Sequence, residues 1–102
     1  GITFKENCPD IRNTKIYDVY KELVTFGARV DVFDLVANKK EVQKVFQIDL
    51  IEDYKSKQYS AIILAVAHDD FRLIDFQKLK SDKNVIFDTK SFIETKYVDG
   101  RL

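Results

Sequence analysis

The stretch Gly1-Ile-Thr-Phe-Lys-Glu-Asn-Cys-Pro-Asp-Ile-Arg-Asn-Thr14 predicts the start of an α/β fold. Its apolar run, Ile2 to Phe4, is typical of a short strand, and a polar loop follows it. Asn13 or Thr14 can then cap a helix, because short polar side chains accept hydrogen bonds from the free amides at a helix N-terminus. The stretch is therefore interpreted as a strand, a loop and the beginning of a helix.

Two cations, Lys5 and Arg12, lie in this predicted loop. Open α/β sheets bind ligands in the loops at the carboxyl ends of parallel strands, and a helix N-terminus favours an anion. The loop is therefore a candidate phosphate site. The alternative is that both side chains are simply solvated, as most surface lysines and arginines are.

The rest of the first half predicts a βαβ unit. Apolar residues recur at helical spacing between Ile16 and Val24, and Gly27 is the expected left-handed cap of that helix. The alternating segment Ala28 to Asp34 predicts a second strand, parallel to the first and joined to it by a right-handed crossover. A short helix around Val42 and an extended piece from Ile48 to Ile51 follow.

The second half contains two further predicted strands. Ser60 to Val66 is a continuous apolar run, which predicts a strand covered on both faces in the middle of a parallel sheet. Asp69 or Asp70 can cap the helix after it. Asn84 to Asp88 is the last clear strand, and residues 92–102 are expected to form a partly ordered tail. The predicted fold is a Rossmann-like three-layer α/β domain, with helices on both faces of a mostly parallel sheet of about four to five strands.

Two polar residues end predicted strands. His68 follows the central strand and is either a structural hydrogen-bonding group or a ligand contact. Asp34 lies where a dinucleotide-binding fold places its ribose-binding acid, but the loop after the first strand lacks Gly-x-Gly-x-x-Gly. We therefore expect Asp34 to serve in a turn or a cap.

If the strands are parallel neighbours, three of their loops converge at one edge of the sheet. The polar side chains that these loops supply are Lys5, Arg12, His68 and Lys90.

Composition narrows the classes of function. The 102 residues suffice for one compact domain, and the 17 basic and 17 acidic side chains cancel, so no global field attracts nucleic acid or an anionic membrane. We find no apolar run near the roughly 20 residues of a membrane span and no signal peptide pattern.

The single cysteine, Cys8, cannot form an internal disulfide and suits a reducing cytoplasm. It has no nearby histidine in sequence, so we interpret it as a surface or half-buried thiol, not a nucleophile.

Gly1 to Thr14 resembles the opening of the C-terminal, nucleotide-sugar-binding domain of the UDP-glucose/GDP-mannose dehydrogenase family. The family pattern there is Gly-x-x-Phe-Lys, a short linker, and Asp-x-Arg-x-Ser/Thr. The version Lys5-Glu-Asn-Cys-Pro-Asp-Ile-Arg-Asn13 is most similar to the branch that oxidises UDP-N-acetylhexosamines. The resemblance continues through Tyr59–Phe71 and Val85–Lys90, and so covers nearly the whole chain.

The resemblance implies that residues 1–102 are a single nucleotide-sugar-binding domain, the C-terminal fragment of a larger cytoplasmic enzyme. Such enzymes oxidise the sugar C6 alcohol to a carboxylate with NAD, through a thioester-type intermediate on a cysteine outside this domain, and supply surface polysaccharide precursors. NAD is then bound mainly by the N-terminal domain. The implied partners are the UDP-sugar substrate, the rest of the parent chain and further copies in a homo-oligomer, with no nucleic acid and no membrane.

The resemblance also implies roles for four residues. Phe4 and Lys5 match the Phe-Lys pair that contacts the nucleotide-sugar, and Lys90 falls where the family places an arginine or lysine against it. Arg12 matches the arginine that reaches NAD across a domain interface. No catalytic residue and no metal ligand are implied in this chain, which alone is expected to be inactive as a dehydrogenase.

Two other functions are compatible with such a sheet. One is a flavodoxin-like or receiver-like signalling domain, although a receiver has acids where this chain has Phe4-Lys5 and Ala67-His68. The other is a domain that serves mainly in subunit assembly.

Overall fold

The computed structural model describes all residues, 1–102, as an α/β structure with few regular elements. Two short 3₁₀ turns, Asp69–Leu73 and Thr95–Tyr97, connect parts of the second half. The helices and strands are α1 (Ile16–Thr25), α2 (Lys39–Phe46), β1 (Ala61–Leu64), α3 (Phe76–Leu79), β2 (Val85–Asp88) and β3 (Gly100–Arg101).

The sheet was predicted to be mostly parallel; both of its strand pairs are parallel, and it has three strands in the order β1-β2-β3. The expectation of four to five strands is wrong, because neither Ile2–Phe4 nor Ala28–Asp34 joins the ladder. The backbone amides of the first segment are used elsewhere: Ile2 N donates to an Asp34 side-chain oxygen and Phe4 N to the carbonyl of Asp10. In the second segment, Val32 O accepts from Ile51 N. Of the predicted βαβ unit, only the helix forms as a regular element.

β1 is shorter and more peripheral than its sequence predicts. It pairs with β2 on one side and is an edge strand of the sheet, and Ile63 on it is 40% exposed. The prediction of a central strand covered on both faces is therefore wrong. Leu64 and Val66, at its carboxyl end, are buried, so the part that leads to His68 is well packed.

α1 ends as predicted and starts differently. Gly27, at φ +90°, closes it: the Gly27 amide donates to Val24 O and the Ala28 amide to Leu23 O, which is the Schellman arrangement. Neither Asn13 nor Thr14 is the N-cap; that position is Lys15, without a side-chain cap. The start is less firmly fixed, because the Thr14 hydroxyl accepts only from Ile16 N, at 3.3 Å.

The predicted helix after β1 is broken in two. Asp69 and Asp70 lie inside the first 3₁₀ turn and cap nothing, because their positions are already helical. Ile74 is extended, and Asp75 then caps α3 by accepting from Lys78 N at 3.2 Å.

The C-terminal residues form a third strand in place of the expected partly ordered tail. Gly100 and Arg101 pair with Phe87 and Asp88 of β2. Asp99 supports this pairing, since its carboxylate accepts from Ile86 N and from Lys80 Nζ.

Two apolar clusters fill the interior, one for each half of the chain. The first holds Ile2 and residues of the α1–α2 half: Ile11, Val32, Val42, Ile48 and Leu50. The second lies under the sheet: Leu64, Phe71, Ile86 and Ile93. None of the helices is both long and apolar enough to cross a bilayer.

Gly1 brings the halves close together. A Cβ on Gly1 would lie 2.9 Å from Val66 Cβ and 3.3 Å from Phe71 Cε2, so a larger residue would push the first segment away from the end of β1.

Candidate functional site

Three segments meet where β1 and β2 end, and we call this region the carboxyl edge. The first is the Lys5 loop (Thr3–Asn7), the second is the β1 exit (Leu64–Asp69) and the third is the Lys90 loop (Asp88–Ile93). The Lys5 loop contacts the β1 exit through His68, and Thr89 of the Lys90 loop donates to Leu64 O from its amide at 3.1 Å and its hydroxyl at 2.9 Å. The predicted convergence of the three loops is confirmed, with the β1 exit as the common neighbour, but Arg12 is not among the side chains brought together.

His68 is fully buried and hydrogen-bonded through both ring nitrogens. Asn7 N–H donates to Nδ1 at 2.9 Å, which makes Nδ1 an acceptor and places the ring proton on Nε2. Nε2 lies 3.0 Å from Asp34 Oδ2 and 3.1 Å from the Thr3 hydroxyl, and that hydroxyl donates onward to Lys5 O at 2.9 Å. Of the two roles open to His68 in the sequence, the structure supports the structural one.

Asp34 holds the other side of this ring. Its Oδ2 accepts from Ile2 N as well as from His68, and its Oδ1 accepts from Val36 N and Ala37 N at 2.8 and 2.9 Å. Burial, the largest single influence, would raise the pKa of the Asp34 carboxyl, but the hydrogen bonds from Ile2, Ala37 and Val36 and the nearby N-terminal charge together lower it. The expected turn role of Asp34 is confirmed, and a carboxylate with every lone pair used is not free to bind a ribose.

The Lys5 loop turns its aromatic and cationic side chains to solvent. Phe4 is 60% exposed, and Lys5 is exposed without a carboxylate partner. Asn7 closes the loop at φ +59°, a conformation that asparagine tolerates better than most residues. Its side-chain oxygen accepts from Asp69 N at 2.8 Å, so the loop is tied to the β1 exit at a second point.

The Lys90 loop wraps around a second buried carboxylate. Asp88 is fully buried; its Oδ1 accepts from Lys90 N at 2.8 Å, and its Oδ2 accepts from Phe92 N and Ile93 N, both at 2.7 Å. Arg101 Nη2 lies 3.5 Å from the same oxygen and donates to Ile93 O at 2.6 Å. The Lys90 side chain is exposed beside this rigid turn.

Arg12 lies apart from these loops. It forms a bidentate pair with Asp10, at 3.0 Å for both side-chain bonds, and its side chain is 83% exposed. The hydrogen bond to Asp10 raises the pKa of the Arg12 guanidinium further. Together they line a surface depression with Cys8, Pro9 and Glu41 of α2. The structure thus groups Arg12 with α2 rather than with His68 or Lys90, and Cys8 is the half-buried thiol that we expected.

Several structural residues of the edge had no assigned role in the sequence analysis: Thr3, Asn7, Asp88 and Arg101. Asp88 had a usable signal, since an acid at the carboxyl end of a strand commonly accepts amides of the following turn. Thr3 and Asn7 had no such signal in the sequence, because their common partner, His68, is at least 61 residues away along the chain.

The fold and the edge define a class: an α/β domain that presents exposed cations on rigid loops at the carboxyl end of a parallel sheet. The chain belongs to the UDP-glucose/GDP-mannose dehydrogenase family, because the model of that family's UDP binding domain matches residues 1–95.

Three bacterial relatives illustrate the similarity. A UDP-N-acetyl-D-glucosamine 6-dehydrogenase of Salmonella typhi is 43% identical over the whole chain, and one of Pseudomonas aeruginosa is 37% identical over the whole chain. Protein CapL of Staphylococcus aureus is 40% identical over 93% of the chain. The chain spans 25%, 25% and 23% of these relatives, respectively, or about a quarter of their length.

Proposed function

We propose that this chain is a single nucleotide-sugar-binding domain, residues 1–102, of a longer NAD-dependent UDP-sugar 6-dehydrogenase. The proposed reaction converts the C6 alcohol of a UDP-N-acetylhexosamine to a carboxylate, for surface polysaccharide precursors. The family match and the similarity to the UDP-N-acetyl-D-glucosamine 6-dehydrogenases of Salmonella typhi and Pseudomonas aeruginosa support it. The observation that carries it is the Lys5 loop, whose backbone is fixed by part-buried hydrogen bonds to Thr3 and His68 while Phe4 and Lys5 remain exposed.

Lys5 and Lys90 are the proposed contacts to the diphosphate. Each is an exposed ammonium on a loop with a fixed backbone, and neither is neutralised by a neighbouring carboxylate. Phe4 offers an exposed ring that can pack on a planar or apolar part of the nucleotide-sugar. Lysine at position 90 acts as a point charge, so the planar bidentate contact of an arginine is not made there.

NAD is the proposed cofactor, held mainly outside this chain, and when bound it supplies the hydride acceptor. The Lys5 loop has no Gly-x-Gly-x-x-Gly turn, and Asp34 is fully occupied, so the dinucleotide site of a Rossmann fold is not built here. Arg12 fits an outward contact to NAD phosphate, because its fork is exposed and can exchange Asp10 for another anion. The domain contributes no catalytic residue in this proposal.

Binding the nucleotide end of the substrate serves the chemistry at its other end. Contacts distant from the reacting carbon fix the sugar in place, and their binding energy is used to orient C6. Loss of Lys5 or Lys90 should therefore reduce kcat and not only raise KM.

Titration of UDP into the full-length protein tests the proposal. Replacing Lys5 with alanine should weaken UDP binding by about 1.5–3 kcal/mol, or roughly ten- to 150-fold in Kd, because a charged hydrogen bond to phosphate is lost. Lys83→Ala is the matched control, since Lys83 is exposed at the opposite end of β2. Equal affinities for wild type and Lys5→Ala would remove Lys5 from the site, and wild type that does not bind UDP would refute the proposed function.

The same preparation separates the competing functions. An assembly domain without nucleotide recognition would give an oligomer in solution mass measurements and no UDP binding.

We propose a cytoplasmic homo-oligomer in which this domain contacts the rest of its own chain but binds no nucleic acid and no membrane. The zero net charge supports the absence of nucleic-acid and membrane binding. The family match favours nucleotide-sugar binding over a receiver-like domain.

A further inference from the structure

We propose that His68 is the positioning residue for nucleotide recognition: it fixes both ends of the Lys5 loop without touching the ligand. The inference rests on the proposed function of Lys5 as a UDP contact. His68 cannot itself be a contact, because its side chain is fully buried. Its influence on the ligand must pass through the backbone that it holds.

The two nitrogens of the ring act on opposite ends of the loop. Nε2 lies 3.1 Å from the Thr3 hydroxyl, which donates to the Lys5 carbonyl at 2.9 Å. Nδ1 accepts from the Asn7 amide at 2.9 Å. Lys5 thus lies between two points that are fixed to one buried ring, which limits the positions that its ammonium can reach.

The ring in turn is held from the far side. Asp34 Oδ2 lies 3.0 Å from Nε2, and the Asp34 carboxylate is itself held by three backbone amides. Phe71 packs beside the imidazole with its centroid 5.2 Å away. A buried ring that is held by a carboxylate and an aromatic side chain is a rigid reference point for an otherwise exposed loop.

Fixing the loop matters for affinity because a mobile lysine must be ordered when the ligand binds. A pre-organised loop has already lost that freedom on folding, so the ligand contact does not have to offset it. Releasing one end of the loop should weaken UDP binding by about ten-fold while leaving Lys5 chemically intact.

Two substitutions of His68 separate positioning from stability. The amide of His68→Gln can reach the place of Nε2 and keep the donor to Asp34 and Thr3, but it loses the acceptor for Asn7. The amide of His68→Asn can keep an acceptor in the place of Nδ1, but it loses the donor to Asp34 and Thr3. We expect the glutamine variant to retain more of the wild-type stability in urea and to bind UDP about ten-fold more weakly in titrations of the full-length protein. The asparagine variant should lose more stability but weaken UDP binding to about the same extent, because it releases the Thr3 end of the loop in place of the Asn7 end.

A matched pair of asparagines tests the loop if both His68 variants fail to fold. Asn7 and Asn13 both have positive φ, 59° and 62°, and glycine accepts that backbone without strain. Asn7→Gly removes the oxygen that accepts from Asp69 N, whereas the exposed Asn13 has no side-chain hydrogen bond to lose. Asn7→Gly should raise the Kd for UDP several-fold, and Asn13→Gly should leave it unchanged.

The outcomes distinguish the two proposals. If wild type binds UDP and Lys5→Ala weakens it, while folded His68→Gln and Asn7→Gly bind like wild type, the positioning role is wrong and the proposed function stands. UDP affinities that follow urea stability across the variants would also refute positioning, since they indicate a purely structural histidine. If wild type does not bind UDP at all, both proposals fail.

Discussion

The Lys5 loop and the Lys90 loop are both held by a buried carboxylate, but the two carboxylates come from different distances along the chain. Asp88 accepts amides two, four and five residues ahead of it, so it folds its own loop. Asp34 accepts from Ile2, 32 residues before it, and from His68, 34 residues after it. The Lys90 loop is therefore a local turn with an added arginine contact. The Lys5 loop forms only when distant parts of the chain have come together.

This difference shows how the two halves of the molecule depend on each other. Ile2 belongs to the first apolar cluster, whereas Phe71, beside the His68 ring, belongs to the second. The pair of Asp34 and His68 therefore joins the clusters at the place where the Lys5 loop is exposed. The Lys90 loop ends in Ile93 of the second cluster and needs only that cluster.

The largest expected effect is that of Asp34→Asn. The new amide group would face donors at Ile2 N and His68 Nε2 in a buried site, so the free energy of unfolding should fall by about 3–5 kcal/mol. Urea unfolding followed by circular dichroism measures it. Asp82→Asn, at an exposed turn position, is the control, and similar midpoints for the two variants would contradict the role of Asp34 as the link between the halves.

Asp88→Asn should cost less, about 2–3 kcal/mol, although Asp88 is equally buried. Asparagine keeps one acceptor oxygen for this local turn, and Arg101 keeps its bond to Ile93 O. The same urea experiment gives the value. A loss larger than that of Asp34→Asn would mean that the local loop, and not the long-range pair, is the more critical of the two.

The smallest effect concerns pH. Because the folded-state pKa of Asp34 is lowered, its ionised form stabilises the fold above the unfolded pKa of about 4, and this contribution is lost as pH falls through the folded value. Unfolding midpoints measured between about pH 5 and pH 2.5 should therefore fall more steeply for wild type than for Asp34→Asn. Asp31 and Asp53 also have lowered pKa values, so both curves should slope. Parallel curves would show that Asp34 does not contribute to the acid sensitivity.

Local patterns in the sequence predicted most of the elements. The spacing from Ile16 to Val24 and the glycine at position 27 gave α1 and its end, and the apolar runs gave β1 and β2. These predictions succeeded because a helix face, a Schellman cap and a buried strand depend on neighbouring residues. The number of strands was wrong because it depends on whether distant amides find ladder partners, and Ile2 N found a side chain instead.

The residues of the candidate site also fall into two groups: those that sequence patterns identified and those that only the structure revealed. Phe4, Lys5, Arg12 and Lys90 were identified in the sequence because exposed residues in a motif can be recognised without knowing what lies beneath them. Their roles toward UDP-sugar and NAD stay predictions. The supporting residues Thr3 and Asn7 were not identified, since nothing local marks a hydroxyl or an amide as the partner of a histidine in another segment.

The sequence by itself therefore determined the α/β class, the family resemblance and the cations of the Lys5 and Lys90 loops. Only the tertiary structure decided that His68 is an internal support rather than a ligand contact, and that Asp34, already expected in a turn or a cap, also holds the His68 ring. The physical reason is that hydrogen-bonding capacity is set by residue type, whereas its use is set by burial and by the groups that folding brings within about 3 Å. In the stretch from Gly1 to Thr14, the exposed side chains that are candidates for ligand contact could be predicted from the sequence. The buried His68 ring that fixes the Lys5 loop could not.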